Sequence, residues 1–386
     1  MSIPSSFAIL GAGIGGLSTA IALQRKGFNV TVYESAPAIR AVGAGLSLSG
    51  NAILAYQEIG IGEEVIAAGC RLQVARIRDQ QGRLISETTS AELKERFGVL
   101  NNFTLHRADL HDLLSGLLMP GTVELGKAAT GINQDATGVT IRFSDGSQVR
   151  ADYLIAADGI HSVVRKQMLP DSLPRYSGYT CWRAIVDDLP QGMDLNEITE
   201  TWGSGRRFGV VPVGQNRIYW FATLNAPPLD PRMREARTKD LREYFGGFHF
   251  PIPQLLERTR DDQLIWGDII DLKPIPRFDF ERVVLLGDAA HATTPNLGQG
   301  ACMAIEDAAT LMNALVNYEP MEAFRRYSSH RVARTTGIVN QSWRVGRLAQ
   351  LENELLRRLR DNAFRMLPKS ATLGQLKDLF DVSFHP

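Results

Sequence analysis

The stretch "FAILGAGIGGLSTAIALQRKGFNVTVYE" (Phe7–Glu34) decides the fold. Phe7–Leu10 is a short apolar run that stops at Gly11, the pattern of a buried strand feeding a turn. From Ile14 to Arg25 apolar residues recur at helical spacing, and Gly27 follows as a stop. "NVTVYE" (Asn29–Glu34) is β-branched and aromatic, which predicts a second strand. Strand, glycine turn, helix and strand form a β-α-β unit, so the chain is read as α/β.

Gly11-x-Gly13-x-x-Gly16 is a weak signal alone, because the chain has 35 glycines. Its context strengthens it: a strand before, a helix after, and Glu34 at the end of the next strand. Gly11 makes the turn, Gly13 lets a pyrophosphate approach the backbone near Ile14 and Gly15, and Gly16 lets the helix pack close. The helix N-terminus offers free N–H groups and about half a positive charge to phosphates. Glu34, with Ser35 beside it, is placed to accept both hydroxyls of an adenosine ribose. A carboxylate there argues against a 2′-phosphate, since two anions repel. The alternative is a plain strand-to-helix turn with an exposed Glu.

Outward from this unit, "GAGLSLSGNAILAYQEIG" reads as a glycine-rich crossover and a helix from about Ser49. "LQVARIRDQQGRLISETT" alternates around Gln80–Gly82, a hairpin pattern. His106–Leu118 is expected to be helical, with Leu110, Leu113, Leu114 and Leu117 on one face. Short strands follow, with a tight turn at Ser144–Ser147 and a strand ending in glycine at Ala151–Gly159. From about Pro170 "YTCWRAIV", "RFGVVPV" and "RIYWFATL" predict an antiparallel sheet of roughly 100 residues. The α/β texture returns at "RVVLLGDAA" (Arg282–Ala290), and Gly300 to about Leu367 is helical by pattern.

A second glycine-punctuated turn, "GDAAHATTPNLGQG" (Gly287–Gly300), follows that late aliphatic strand. Asp288 stands at the C-terminal end of the strand, where open α/β sheets place ligands. Its carboxylate can accept hydrogen bonds from a polyol. FAD has a ribityl chain between pyrophosphate and ring, and NAD has none. After Pro295, Gly298 and Gly300 open a helix through Gln299 and Ala301, whose N-terminal dipole suits negative charge on a reduced flavin. The alternative makes Asp288 an ordinary N-cap of a glycine-rich helix start.

Bulk numbers constrain the rest. Lys+Arg and Asp+Glu are both 42, so no overall field draws the chain to nucleic acid or an anionic membrane, although a local basic patch stays open. Cys70, Cys181 and Cys302 are odd in number and far apart, which suggests neither a disulfide framework nor a thiolate metal site. The seven histidines lack ligand spacing, so no metal is expected. No apolar stretch reaches the roughly 18 residues of a membrane span. A cytoplasmic chain, monomeric or homodimeric, is the expectation.

"GDAAHATTPNLGQG" resembles the GD motif of group A flavoprotein monooxygenases, the single-component FAD aromatic hydroxylases. "ADGIHSVVR" (Ala157–Arg165) is similar to that family's DG motif, Asp-Gly-x-x-Ser-x-x-Arg, at Asp158, Gly159, Ser162 and Arg165. "HRADLHDLL" resembles the family helix whose arginine, here Arg107, reaches the flavin's phosphate and ribityl region. "GAGLSLSGNAI" (Gly43–Ile53) and "RRYSSHRVART" (Arg325–Thr335) also match. The resemblance spans nearly the whole chain, least in 170–270.

The resemblance implies a Rossmann-like, GR2-type FAD-binding domain (1–72, 98–170 and 271–386) with an inserted antiparallel-sheet substrate domain (73–97 and 171–270) and C-terminal helices. It implies extended FAD, with adenosine at Glu34, pyrophosphate near Gly13–Ile14, ribityl at Asp288 and ring near Pro295–Gly300. NAD(P)H, lacking a Rossmann site of its own, would dock transiently, with Arg165 coupling the two cofactors. A flavin C4a-hydroperoxide formed with O2 would hydroxylate or epoxidise a small aromatic or conjugated cyclic substrate. Several relatives carry Asn where Cys302 stands, so backbone N–H groups would serve the ring here.

Substrate contacts are expected from the inserted sheet: Arg207 and Tyr219 first, with Trp182, Arg183 and Trp220 as further options. Alternating aromatics on a half-buried strand are also ordinary core residues. His291 is a candidate acid–base group, or else packs beside the flavin. Other readings are a halogenase, whose Trp-x-Trp-x-Ile-Pro stretch is absent, a prenyl-chain reductase, or a non-catalytic flavin or NAD sensor.

Overall fold

A computed structural model describes residues 5–38, 45–99 and 102–386, with the side chains of Thr372 and Gln375 left aside. Residues 43–44, the start of the run quoted to Ile53, lie outside it.

The first β-α-β unit forms as its pattern predicts: strand Ser6–Leu10, helix Ile14–Arg25, strand Asn29–Tyr33. It seeds a six-stranded sheet in the order Asp279–Phe280, Val283–Leu285, Tyr153–Ala156, Ser6–Leu10, Asn29–Tyr33, Val123–Glu124. All pairs are parallel except the outermost Asp279–Phe280. Ile9, Val32, Leu154, Ile155 and Val284 are buried in the main core, as expected for parallel strands covered on both sides. Helices Ile14–Arg25 and Gly300–Asn317 pack together on one side, with Gly15 against Ala304. A small antiparallel sheet (Ala129–Asp135, Gly138–Phe143, Gln148–Ala151) joins the same core, with Phe143 against Tyr33.

The second large sheet has seven strands: Ile265–Leu272, Pro174–Val186, Ile218–Asn225, Arg206–Pro212, Glu197–Trp202, Val74–Asp79 and Leu84–Thr89. The expected hairpin around Gln80–Gly82 supplies its last two strands. One junction departs from the antiparallel expectation, since Glu197–Trp202 runs parallel to Val74–Asp79. These strands lie more than a hundred residues apart, so no short hairpin turn dictates their direction.

Strand alternation divides this sheet. Trp182, Ala184, Phe208, Trp220 and Ala222 point to one face and form a second core with Leu241, Phe245, Leu255 and Leu256 of helices Thr238–Phe245 and Ile252–Arg258. Tyr179, Cys181, Arg183, Arg207, Tyr219, Phe221 and Thr223 belong to the other face, where Tyr179 and Arg207 bond Asn296.

Two further differences concern short elements. The expected glycine-rich crossover contains a strand, Gly45–Leu48, paired antiparallel with Phe103–His106. The C-terminal helices Gly300–Asn317, Pro320–Ala349 and Glu354–Met366 are followed by a fourth, Lys369–Phe380. Pro368 ends the preceding pattern, but Leu373, Leu376 and Phe380 recur at helical spacing and pack on Leu93 and Phe97. No helix among the described residues is long and apolar enough to cross a membrane.

Candidate active site

The site is built where three adjacent parallel strands end level. Leu10 pairs with Ala156, and Ala156 with Leu285, so the chain leaves the sheet side by side at Gly11, Ala157–Asp158 and Leu286–Gly287. Tyr33 sits beside Leu10 and delivers Glu34 to the same edge. Main-chain bonds extend the ladder past the strand ends, Gly11 N to Tyr33 O (2.8 Å), Ala157 N to Leu10 O (2.9 Å) and Leu286 N to Ala156 O (2.9 Å). Four segments scattered over almost 280 residues of sequence thus share one edge.

The glycine turn has a closed side and an open one. Gly11 has φ +96°, and a Cβ there would stand 2.4 Å from Ala157 O; at Gly16 it would stand 2.0 Å from Gly11 O. Around Gly13 nothing lies within 4 Å of that position. Helix Ile14–Arg25 begins there with no side-chain cap and no acid in its first turn, so its first N–H groups are left for an anion. Glu34 steadies the turn: one carboxylate oxygen accepts from Ala12 N (2.7 Å), the other from Ala36 N (2.8 Å) and Ser35 Oγ (3.0 Å). His111 closes the far side through Ala12 O at 2.7 Å.

Asp288 is the first residue of the short helix Asp288–His291; the cap position is Gly287, so Asp288 is not an N-cap. Its carboxylate is solvent-exposed and takes no described hydrogen bond, yet protein crowds around it. That crowding pushes its carboxyl up, opposed by the charges of His291, Arg107 and Arg165. Arg107 is exposed at the start of helix Arg107–Gly116. Pro295 and Gly298 are exposed in the turn before helix Gly300–Asn317, where Gly300 and Ala301 are half-buried. An open N–H turn, an open carboxylate and a nearby cation fit a dinucleotide with a polyol arm.

Several expected ligands face inward instead. Arg165 is fully buried and donates to Ile160 O (2.5 Å), Ala289 O (3.1 Å) and Ser172 O (3.4 Å). Its guanidinium therefore locks the Ala157–Arg165 turn to the Asp288 helix, and it positions rather than contacts a ligand. Asp158 Oδ2 accepts from Val163 N at 2.9 Å, at the start of helix Val163–Met168 whose cap is Ser162, while Oδ1 is buried without a partner and burial pushes the carboxyl up. The Gln299 side chain is buried, bonding Ser49 Oγ (3.0 Å) and Asn51 Nδ2 (2.9 Å), so only its backbone remains for a cofactor. Cys302 is buried too; its Sγ accepts from Ser49 N and donates to Gly298 O, both 3.5 Å, and burial pushes the thiol up to about 12.

His291 is likewise not on the open side. It is 3% exposed, and Nε2 meets Asp307 Oδ2 at 2.6 Å, next to Phe278. Asp307 also accepts from Gly287 N (2.9 Å) and Arg331 Nε (2.7 Å). Arg331 pairs Glu306 as well, at 2.6 Å, and Arg334 grips Glu306 with two bonds of 2.8 and 2.6 Å. Burial pushes both carboxyls up, but His291 and Arg331 beside Asp307, and Arg331 and Arg334 beside Glu306, outweigh it and hold them below the ordinary range. This ionic cluster lies behind the Gly287 turn and fixes it. The "SHRVAR" segment that carries Arg331 and Arg334 was legible as a matching motif, but its role was not.

Opposite the strand ends stands the inner face of the seven-stranded sheet. Tyr179 Oη donates to Asn296 Oδ1 at 3.0 Å, and Arg207 reaches the same oxygen at 2.8 Å. Arg207 also bonds Glu200 (2.9 Å) and Gln350 (3.0 Å) and is 2% exposed, so all its nitrogens are engaged and it acts as a tie between sheet and turn. At the other end Tyr219 covers Gly45: a Cβ there would lie 2.5 Å from the ring. Burial pushes the Tyr219 phenol well up, so it stays neutral.

Between those two anchors lies half-buried Arg183. Its polar neighbours are the Cys181 thiol and the Tyr219 hydroxyl, and its pKa is raised by Cys181 first. Arg175 and Arg207 of the same sheet, and Arg217 in the turn before strand Ile218–Asn225, pair with Asp271, Glu200 and Asp109, whereas Arg183 has no carboxylate partner among the described residues. Trp182 and Trp220 are excluded as contacts by alternation: both are fully buried on the other face, with indole N–H bonds to Met233 O and Thr259 Oγ1, each 3.0 Å. No His, Cys, Asp and Glu group suited to a metal occurs among the described residues.

Comparison with known proteins adds three findings. The FAD binding domain family matches residues 5–342. The aurachin C monooxygenase/isomerase of Stigmatella aurantiaca is 40% identical over 360 residues, 93% of each chain, and a FAD-dependent urate hydroxylase of Klebsiella pneumoniae subsp. pneumoniae is 34% identical over 334 residues, 86% of this chain and 87% of that one. The crystal structure of Klebsiella pneumoniae HpxO complexed with FAD and uric acid superposes with a TM-score of 0.90 at 30% identity, covering 97% of this chain and 96% of that one.

Proposed function

The chain belongs to the FAD binding domain family and is a FAD-dependent monooxygenase, and from that premise we propose that it uses NAD(P)H and O2 to hydroxylate or epoxidise a small aromatic or conjugated cyclic substrate. Bound FAD supplies electron transfer from NAD(P)H and activation of O2 at flavin C4a. The protein's own residues bind, orient and exclude water. The N–H groups around Gly13 and Ile14 take the pyrophosphate, Glu34 the ribose, and Asp288 the ribityl hydroxyls, with Arg107 screening the charge. The Pro295–Gly300 turn, through its backbone N–H groups, would hold the ring. We assign residues 1–72, 98–170 and 271–386 to FAD and 73–97 with 171–270 to substrate.

Substrate is held between that turn and the inner face of the sheet. Arg183 orients it by pairing with an oxygen anion or carbonyl, and neutral Tyr219 donates a hydrogen bond to the same group. The observation that carries this reading is the double attachment of the sheet: Tyr179 and Arg207 to Asn296, and Tyr219 over Gly45. We place the substrate cleft between those two contacts, where Arg183 has no carboxylate partner among the described residues.

The test is to follow NAD(P)H oxidation by the yellow holoenzyme with phenols, hydroxybenzoates, purines and polyketide-like rings, using 18O2. Substrate-stimulated oxidation with one labelled oxygen in the product is expected. Stimulation without a labelled product in every case would replace a monooxygenase by an oxidase.

A further inference from the structure

A glycine inside a strand weakens it and packs nothing, and it often marks a place where another group comes close. Gly209, in the middle of strand Arg206–Pro212, is buried and does not take the left-handed conformation, so its backbone does not require glycine. Its neighbour does. A Cβ at 209 would stand 2.6 Å from Cδ1 of Phe221, with Cε1 and Cζ nearer still. Phe221 is the residue directly opposite on strand Ile218–Asn225, so its ring leans across and fills the place of the missing side chain. Arg207 and Val211 flank Gly209 on the same face and are buried, which keeps the ring from sliding along the strand.

On the ring's other side, Arg183 pairs in register with Phe221 from strand Pro174–Val186. Tyr219 lies two residues along, its ring 6.2 Å from that of Phe221. These three are half-buried, whereas Cys181, Gly209, Val211 and Thr223 around them are buried. The accessible part of this patch is therefore one guanidinium, one phenol and one aromatic ring. Because Phe221 leans onto Gly209, its ring stands near the second strand from Arg183, about 10 Å away at two strand spacings. A single aromatic ring with its carboxylate is shorter than that distance, and two fused rings span it.

We propose that Gly209 positions Phe221 and thereby sets the size of substrate: a fused, planar aromatic anion, its oxygen at Arg183 and its far ring against Phe221. This rests on the substrate placement proposed above and adds the residue that fixes the size limit. Gly209 touches no substrate and acts only through Phe221. An aromatic ring over a strand glycine also supports the strand. That role alone changes stability and leaves no dependence of affinity on ring number.

The probes are benzoate and 2-naphthoate, titrated into the holoenzyme and read by the change in flavin absorbance. Wild type is expected to bind 2-naphthoate more tightly than benzoate. Gly209→Ala should weaken 2-naphthoate about tenfold and benzoate less than about threefold, because the methyl group drives the Phe221 ring off the strand and into the cleft. Gly209→Ala combined with Phe221→Ala should bind 2-naphthoate better than Gly209→Ala alone, a recovery that lost strand stability does not produce. Unchanged FAD content certifies each fold; if Gly209→Ala loses FAD, Phe221→Trp, which keeps the glycine, should show the same size-dependent loss. Equal weakening of both probes, no weakening, or no recovery in the double variant overturns the inference. Arg183→Met tests the placement beneath it and should weaken both probes alike. If it does so while Gly209→Ala leaves 2-naphthoate unchanged, the size inference fails and the substrate placement stands. If Arg183→Met changes neither probe, or wild type responds to neither, both fail.

Discussion

The proposed cleft has two walls made in different ways. The strand-end wall is assembled from loops that leave one parallel sheet in register, so its polar groups are set by backbone hydrogen bonds and short glycine turns. The opposite wall is the inner face of a twisted sheet, where each side chain owes its place to strand alternation and to long-range anchors such as Asn296 and Gln350. The first wall tolerates little variation in residue type and reads as motif. The second can change its side chains without changing its fold, as the proposed substrate surface would require.

The largest expected effect tests whether the strand-end wall depends on the ion cluster behind it. Arg331→Met leaves Glu306 and Asp307 buried with fewer partners and should cost about 3–5 kcal/mol of stability by urea denaturation. In the wild type both carboxyls are held low when folded, so their contribution is complete above the unfolded values near 4 and is lost as pH falls through the folded ones. In the variant the carboxyls can neutralise, so its deficit should be greatest at neutral pH and shrink towards pH ~4. A deficit independent of pH would detach the cluster from the wall's stability.

Asp288→Ala sharpens the comparison next. It removes an exposed carboxylate that supports no other group, so folding should hold while FAD affinity falls by about 1.5–3 kcal/mol, roughly tenfold to a hundredfold. Equal FAD affinity in fluorescence titration would move the ribityl contact elsewhere. Arg183→Met probes the other wall: KM for an anionic aromatic substrate should rise about tenfold, with FAD affinity unchanged and uncharged analogues little affected. A rise shared by charged and uncharged substrates would make Arg183 a packing residue.

Legibility followed the same division. Gly11–Gly16, Glu34 and Asp288 could be read because each sits within a few residues of the strand that positions it. The DG and GD motifs were also legible, but the buried bonds of Arg165, Gln299 and His291 were not, since a motif gives residue types and not which way a side chain turns. Trp182 and Trp220 looked as promising as Arg183, although they differ by one strand position from the cleft face. Deciding between them required knowing which face the helices Thr238–Phe245 and Ile252–Arg258 cover. Arg207 was the same kind of case: Asn296 and Gln350, 89 and 143 residues away, absorb its nitrogens. The parallel junction between Glu197–Trp202 and Val74–Asp79 was invisible for the same reason of distance.

By itself, the amino-acid sequence determined the α/β class, the glycine turn and the place of Asp288 at a strand end, because steric demands on a turn act over a few neighbouring residues. Tertiary structure alone decided which cations of the seven-stranded sheet are neutralised and left Arg183 without a carboxylate partner among the described residues. That outcome depends on pairings between segments far apart in the chain, where burial and the nearest carboxylate, not residue type, settle what a guanidinium is free to do.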